Sequence, residues 1–205
     1  MCFHSKQTKS ATELQNRFKA TFADATLFKQ VAAINGFTYP YTPVIAKEEP
    51  NVIQFYKWGL IPKWAKEEMI REYTLNAKIE TLHEKPSFKG SINNRCLVIA
   101  DGFYEWQWLD PKGKKKQKYL ITKPNNELFC FGGITSEWVD VTSGEIIKTY
   151  SIVTTEANPF MAEIHNSKKR MPVILTPENE TEWLQPNNIL DFANCNPELI
   201  ATPIQ

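Results

Sequence analysis

Apolar and polar positions divide the chain into a short helical front and a long β-rich back. Ser10 to Glu13 fits a reciprocal helix cap, and Leu14, Phe18, Phe22 and Ala25 follow at helical spacing, which predicts a helix from about 11 to 22. GFTYPYTPVIA carries three breaker signals before a short strand. VIQFYKWGL reads as a strand closed by the turn LIPKW, and AKEEMIRE as a short helix. From residue 95 the runs RCLVIA, GFYEWQW, KYLITK, ELFCFGGI, IIKTYSIVTT and MPVIL predict strands. Polar or turn-forming pieces separate them, among them Asp101-Gly102, DPKGKKKQK, PNNE and VTSGE. Thr176 followed by Pro177 marks the start of a late helix, and the tail predicts one further short helix and an extended end. The pattern is that of one α+β domain over 1–205, with strands in a mostly antiparallel sandwich or open barrel and helices flanking it.

The bulk numbers narrow this little. The 205 residues suit one domain, and 42% apolar and 23% charged residues are ordinary for a soluble globular protein. A net charge of +1 requires any nucleic-acid site to be a local basic patch. Cys2, Cys96, Cys130 and Cys195 form no CxxC pair. Cys96 and Cys130 lie in apolar runs and read as small buried hydrophobes. The polar start lacks a signal-peptide core, and no apolar run reaches the ~20 residues of a membrane span, so a reducing cytoplasmic setting is expected. P-loop, GxGxxG, HExxH and GxSxG motifs are absent, and nothing in the sequence calls for a metal or organic cofactor.

Candidate chemistry is scattered. Cys2 directly follows Met1; removal of that methionine would leave an α-amine and a thiol on adjacent carbons, titrating near ~8 and ~8.5. Alternation along DGFYEWQW sets Tyr104, Trp106 and Trp108 against Phe103, Glu105 and Gln107. Glu105 is then either a carboxyl raised toward neutrality by aromatic surroundings or a glutamate at an exposed edge or paired with a lysine. His165, in a polar connection before a strand, suits a proton shuttle or an ordinary surface position. His4 and His83 read as ordinary histidines. Asn76 of TLNAKIETL is an uncharged donor–acceptor or a helix cap. Trp58 reads as core and Trp64, beyond Pro62 and next to Lys63, as a surface for stacking bases. The five lysines between Lys112 and Lys118 are a solvated hairpin tip or a phosphate-contacting loop.

Taken together and in order, these pieces resemble the SOS-response-associated peptidase (SRAP) family: Cys2 after Met1, WGLIPKW, NAKIET, RCLVIADGFYEW, TTEAN, and RMPVIL shortly after His165. The resemblance implies a single SRAP-like domain that loses Met1 and captures abasic sites in single-stranded DNA. The Cys2 amine would form a Schiff base with the sugar aldehyde, and the thiol would close a thiazolidine. It further implies that Asn76 hydrogen-bonds near the reacting sugar, that Glu105 serves as acid and base, and that His165 assists proton transfer. His4 and Lys78 stand where family members often carry phosphate-binding arginines. His165 is further from RMP than usual, so Lys168, Lys169 or Arg170 would supply positive charge. The expected partner is single-stranded DNA bearing abasic sites, with no membrane, a monomeric chain, and a nucleoid location when bound. Two other functions stay open: a cysteine peptidase acting on other proteins, and a non-catalytic reader of damaged DNA.

Overall fold

The computed structural model describes residues 2–194 and 196–204; Met1, Cys195 and Gln205 lie outside the described residues. Strands run over His4–Gln7 (β1), Thr21–Phe22 (β2), Val31–Asn35 (β3), Tyr41–Ala46 (β4), Val52–Trp58 (β5), Asn76–Lys78 (β6) and Arg95–Ala100 (β7). They continue over Gly102–Trp108 (β8), Lys116–Thr122 (β9), Phe129–Val139 (β10), Ile146–Glu156 (β11), Arg170–Pro172 (β12), Ile174–Leu175 (β13) and Ile200–Ile204 (β14). The α-helices are Ala11–Phe18 (α1), Pro86–Lys89 (α2), Pro159–Ile164 (α3) and Pro177–Leu184 (α4).

The strands form two sheets. The smaller has the order β14-β9-β8-β1-β3. The larger runs β12-β11-β10-β7-β4-β5-β2, with β13 added on β10 and β6 on β11. Parallel pairing of Thr149 with Lys57 and Tyr150 with Trp58 joins β11 to β5 and closes β5-β4-β7-β10-β11 into a five-stranded barrel. The α+β architecture expected from the sequence is therefore present, with the barrel closed on one side and a second sheet laid against it.

The fold follows from two-sided burial of β7. Cys96, Val98 and Ala100 pack with Trp58, Tyr150, Phe103, Ile121 and Cys2 between the two sheets. Leu97 and Ile99 on its other face pack with Leu14, Ile45, Ile53, Ala77 and Trp183. A strand apolar on both faces has to be central, because either face left in water would forgo about 25 cal/mol per Å² of apolar burial.

Several local expectations are corrected. The first helix stops at Phe18, not about 22: Lys19 takes a left-handed conformation (φ 50°) and closes the helix onto Gln15. Thr21 and Phe22 then pair in parallel with Val52 and Ile53. AKEEMIRE is a 3-10 turn over Glu68–Tyr73 rather than an α-helix. MPVIL splits at Val173: Met171 pairs with Thr155 of β11, whereas Ile174 pairs with Phe131 of β10.

The Asp101-Gly102 turn does not make a hairpin. β7 belongs to the barrel and β8 to the smaller sheet, so the chain changes sheets at Asp101. That residue is fully buried; its carboxylate accepts from the Thr8 amide (3.0 Å) and hydroxyl (2.6 Å) and meets the Lys6 ammonium at 3.2 Å. These contacts fasten the start of the chain to the corner between the sheets. β1 docks beside β8 with Ser5 opposite Phe103 and Lys6 opposite Gly102.

Candidate active site

The strand β1 carries Cys2 into the inter-sheet core, where it is fully buried. Its thiol points toward the His4 carbonyl at 3.8 Å, and its own carbonyl accepts from Asn76 Nδ2 at 2.9 Å. Asn76 starts β6, which is held parallel to β11 with Asn76 opposite Ile152. Asn76 Oδ1 is buried and has no partner among the described residues, leaving an acceptor beside Cys2. Burial, with the Glu105 charge adding to it, pushes the Cys2 thiol well above its ordinary range.

Glu105 and His165 face one another. Glu105, in the middle of β8, is only 3% exposed, and burial lifts its carboxyl to about 7. Its Oε2 lies 3.9 Å from His165 Nε2. His165 follows α3, which starts at the Asn158 cap and Pro159. Burial is the largest cause that lowers the imidazole to about 4, with Lys168 and Arg170 among the smaller ones, so it is neutral at physiological pH. His165 Nδ1 lies 2.8 Å from the Arg170 carbonyl; the Arg170 amide approaches the same nitrogen less closely, at 3.3 Å. The Arg170 backbone thus holds Nδ1, and Nε2 is the nitrogen that faces Glu105.

These groups open onto a cleft of about 350 Å³ lined by Phe3, His4, Glu105, Trp106, Trp108, Lys116, His165, Ser167 and Lys168. Cys2 lies just under this lining. His4 packs edge-on to Trp106, with ring centroids 5.0 Å apart. Burial and the nearby Lys118 lower its pKa, so at neutral pH it is an uncharged ring rather than a substitute for a cationic arginine. Lys118 sits over the Tyr104 ring and Lys116 over Trp108. Reciprocal bonds between Asn166 and the Trp108 backbone, both 2.9 Å, tie the loop after His165 to the end of β8.

The remaining sequence candidates separate. Lys168 reaches the cleft, and Lys169, left-handed at φ 48°, is exposed. Arg170 does not offer a free charge. It is 9% exposed, forks onto Glu80 at 2.8 and 2.9 Å, and also donates to the Thr154 carbonyl. Burial alone would raise Glu80, but the Arg170 fork overcomes it and holds the carboxyl below its usual range. The pair instead fixes the backbone whose carbonyl orients His165. Trp64, 60% exposed, and Lys78, also exposed, stand outside the cleft lining. Sequence reasoning leaves Trp106 and Trp108 without a role at the cleft and leaves the lysines between a solvated hairpin tip and a phosphate-contacting loop. The signal is present in the β8 alternation and in the antiparallel pairing of Trp108 with Lys116 and Trp106 with Lys118. Among the described residues, no cluster of three or more His, Cys, Asp or Glu could hold a metal ion. No helix among them is long and apolar enough to cross a membrane.

A barrel with an added sheet and a cysteine–glutamate–histidine cleft defines a recognisable class of protein. A solved structure of a protein from Bacteroides thetaiotaomicron superposes with a TM-score of 0.90 at 33% identity, covering 100% of this chain and 92% of that one. One from Bordetella bronchiseptica, at 23% identity, shares the fold with a TM-score of 0.82 and covers 100% of both chains. Residues 1–200 match the SOS response associated peptidase (SRAP) family, and the chain belongs to it. It is 48% identical over 133 residues to the abasic site processing protein YoqW of Bacillus subtilis, a match covering 64% of this chain and 57% of that protein. It is 34% identical over 163 residues to the abasic site processing protein HMCES of Gallus gallus, covering 68% of this chain and 47% of that one. The chain thus spans about half the length of the curated relatives it matches.

Proposed function

We propose that this protein captures the aldehyde of an abasic site in single-stranded DNA through Cys2, after Met1 has been removed. The observation that carries the reading is the grouping of Cys2 with a carboxyl poised at about 7 and a neutral imidazole, beneath a cleft rimmed by tryptophan and lysine. The names of the relatives point to the same substrate.

Hydrolysis of the Met1–Cys2 peptide bond consumes one water and frees the Cys2 amine. The amine adds to the aldehyde carbon, and loss of one water gives an imine. The thiol then adds across the C=N bond: sulfur bonds to carbon and its proton passes to nitrogen, closing a five-membered thiazolidine. Capture therefore releases one water in all. An internal cysteine would give only a hemithioacetal and a lysine only an imine, so the aminothiol is what makes the product stable.

Glu105, with both protonation states populated near pH 7, takes the proton from the attacking group and returns one to the departing hydroxyl. Neutral His165, which faces Glu105 through Nε2, assists proton transfer during opening of the sugar. Asn76 holds the Cys2 carbonyl and offers Oδ1 to the ammonium or a sugar hydroxyl. Lys116 and Lys168 meet phosphates, and Trp106 and Trp108 stack on neighbouring bases. His4 contributes ring contact, while Trp64, Lys78 and Lys169 reach flanking nucleotides.

Intact mass spectrometry before and after incubation with a single-stranded oligonucleotide bearing one abasic site tests this. The expected result is a protein lacking Met1 and an adduct whose mass is the sum of both minus one water and which survives denaturation, whereas Cys2→Ala gives only an imine that hydrolyses. An equally stable adduct from Cys2→Ala would overturn the role of the thiol. Retained Met1 with no adduct would overturn the reading as a whole.

A further inference from the structure

The smaller sheet and the barrel splay apart between edge strand β3 and strand β4, leaving a groove of about 410 Å³ distinct in its lining from the Cys2 cleft. Leu27, Val31 and Ile34 line it from one side, and Pro40, Tyr41 and Phe55 from the other. Its size falls within the roughly 300–1,000 Å³ of small-molecule sites. Gln7, the last residue of β1, also lines the groove. It is 1% exposed, yet neither its Nε2 nor its Oε1 has a hydrogen-bond partner among the described residues. A buried amide with both ends unpaired is costly, and native structures rarely keep one without a reason. Other polar side chains of the same wall are already engaged: Asn35 accepts from the Phe37 amide and Thr42 bonds to the Tyr150 hydroxyl. Lys29 adds an ammonium to the groove.

We propose that this groove binds a nucleotide, with the base edge on Gln7 and the phosphate toward Lys29. An amide presents a donor and an acceptor side by side, and a nucleobase edge presents their complement in one plane. Phe55, Tyr41 and Pro40 offer flat or apolar surface to the ring faces, and Lys29 the counter-charge. The occupant is a free nucleoside monophosphate; a single strand belongs to the Cys2 cleft of the proposed function. The inference rests on the groove alone and not on the chemistry of Cys2.

The experiment follows the Gln7 side-chain amide by NMR in the full chain. One arm titrates each deoxynucleoside monophosphate; the other titrates a short single-stranded oligonucleotide without abasic sites. The expected result is a saturable shift of the Gln7 amide. A response to monophosphates identifies the site, and a response only to the oligonucleotide overturns the proposal, because a strand held at the Cys2 cleft also reaches β1. Affinity measured by calorimetry is expected to fall at least tenfold in Gln7→Leu and in Ala33→Trp, which fills the groove from an exposed position. Lys29→Gln is expected to weaken the monophosphate several-fold and leave the nucleoside unaffected. No shift with any ligand, or affinity that survives both Gln7→Leu and Ala33→Trp, overturns the proposal. Capture of an abasic site by Ala33→Trp is expected to match the parent protein, so the two readings fail separately.

Discussion

The inner wall of the Cys2 cleft and its outer rim are built on opposite electrostatic terms. Inside, Glu105, His165 and Cys2 are buried, and desolvation moves all three toward their uncharged forms. Arg170, behind them, is met by Glu80 with two hydrogen bonds. On the rim, Lys116 and Lys168 face the opening beside tryptophan rings. Burial therefore selects which groups can move a proton near neutral pH, while exposure leaves the rim charges to act over distance and under salt screening. Reactivity and attraction are divided between layers only a few residues apart in sequence.

The sharpest way to break this division is Glu105→Gln. The rate of adduct formation is expected to fall by ~10²–10⁴, the range of general acid–base contributions. The parent protein's rate for the base-dependent step should rise with pH through about 7, and the variant should lose that inflection. Stability should move the other way. The folded carboxyl holds its proton up to about 7, whereas the unfolded one releases it near its ordinary value, so ionisation penalises the folded state increasingly as pH rises between the two. Glu105→Gln should therefore gain stability relative to the parent between pH 4 and 8, by up to about 3 kcal/mol, read from urea melts at both pH values. A flat difference across that range would show that burial does not set this carboxyl.

A smaller effect is expected from Glu80→Ala, which leaves Arg170 without its carboxylate. Loss of about 1–3 kcal/mol in urea unfolding is expected for a charged hydrogen-bonded pair that is partly exposed. Adduct formation should slow as well, because the Arg170 carbonyl orients His165. Full activity despite lost stability would separate the pair from the inner wall. The smallest effect belongs to the rim. Lys116→Gln with Lys168→Gln should weaken binding of single-stranded DNA and lower the slope of log affinity against log salt by about 0.7 for each phosphate no longer neutralised. It should not move the pH inflection assigned to Glu105. A shifted inflection would mean that rim and wall are not separate.

The runs central to the barrel are legible because they are long and apolar: RCLVIA, FCFGGI and YSIVTT are strands in both the sequence pattern and the structure. The smaller sheet is less so. β1 is HSKQ, with polar residues on both faces, because Ser5 and Gln7 point inward and His4 and Lys6 outward. No periodicity of hydrophobicity marks such a strand; it is defined by its neighbours β3 and β8 and by the Asp101 anchor. The corner at Asp101 misleads for a related reason. A buried aspartate holding Thr8, 93 positions away, looks in sequence like a hairpin turn. At the site, the residues singled out as Cys2, Asn76, Glu105 and His165 do converge. The engagement of Arg170 by Glu80 is not readable, since it depends on β12 and the NAKIET segment approaching across 90 positions.

The docking of β1 also works as a ruler. Thr8 is clamped at the Asp101 corner and Ser5 is registered against Phe103, so the residue delivered beneath the cleft is set by counting back along the strand. Substitutions between Cys2 and Thr8 alter the marks on that ruler; an insertion or deletion alters its length and brings the wrong residue to the reading point. Change in this segment is therefore constrained first in spacing and only then in identity.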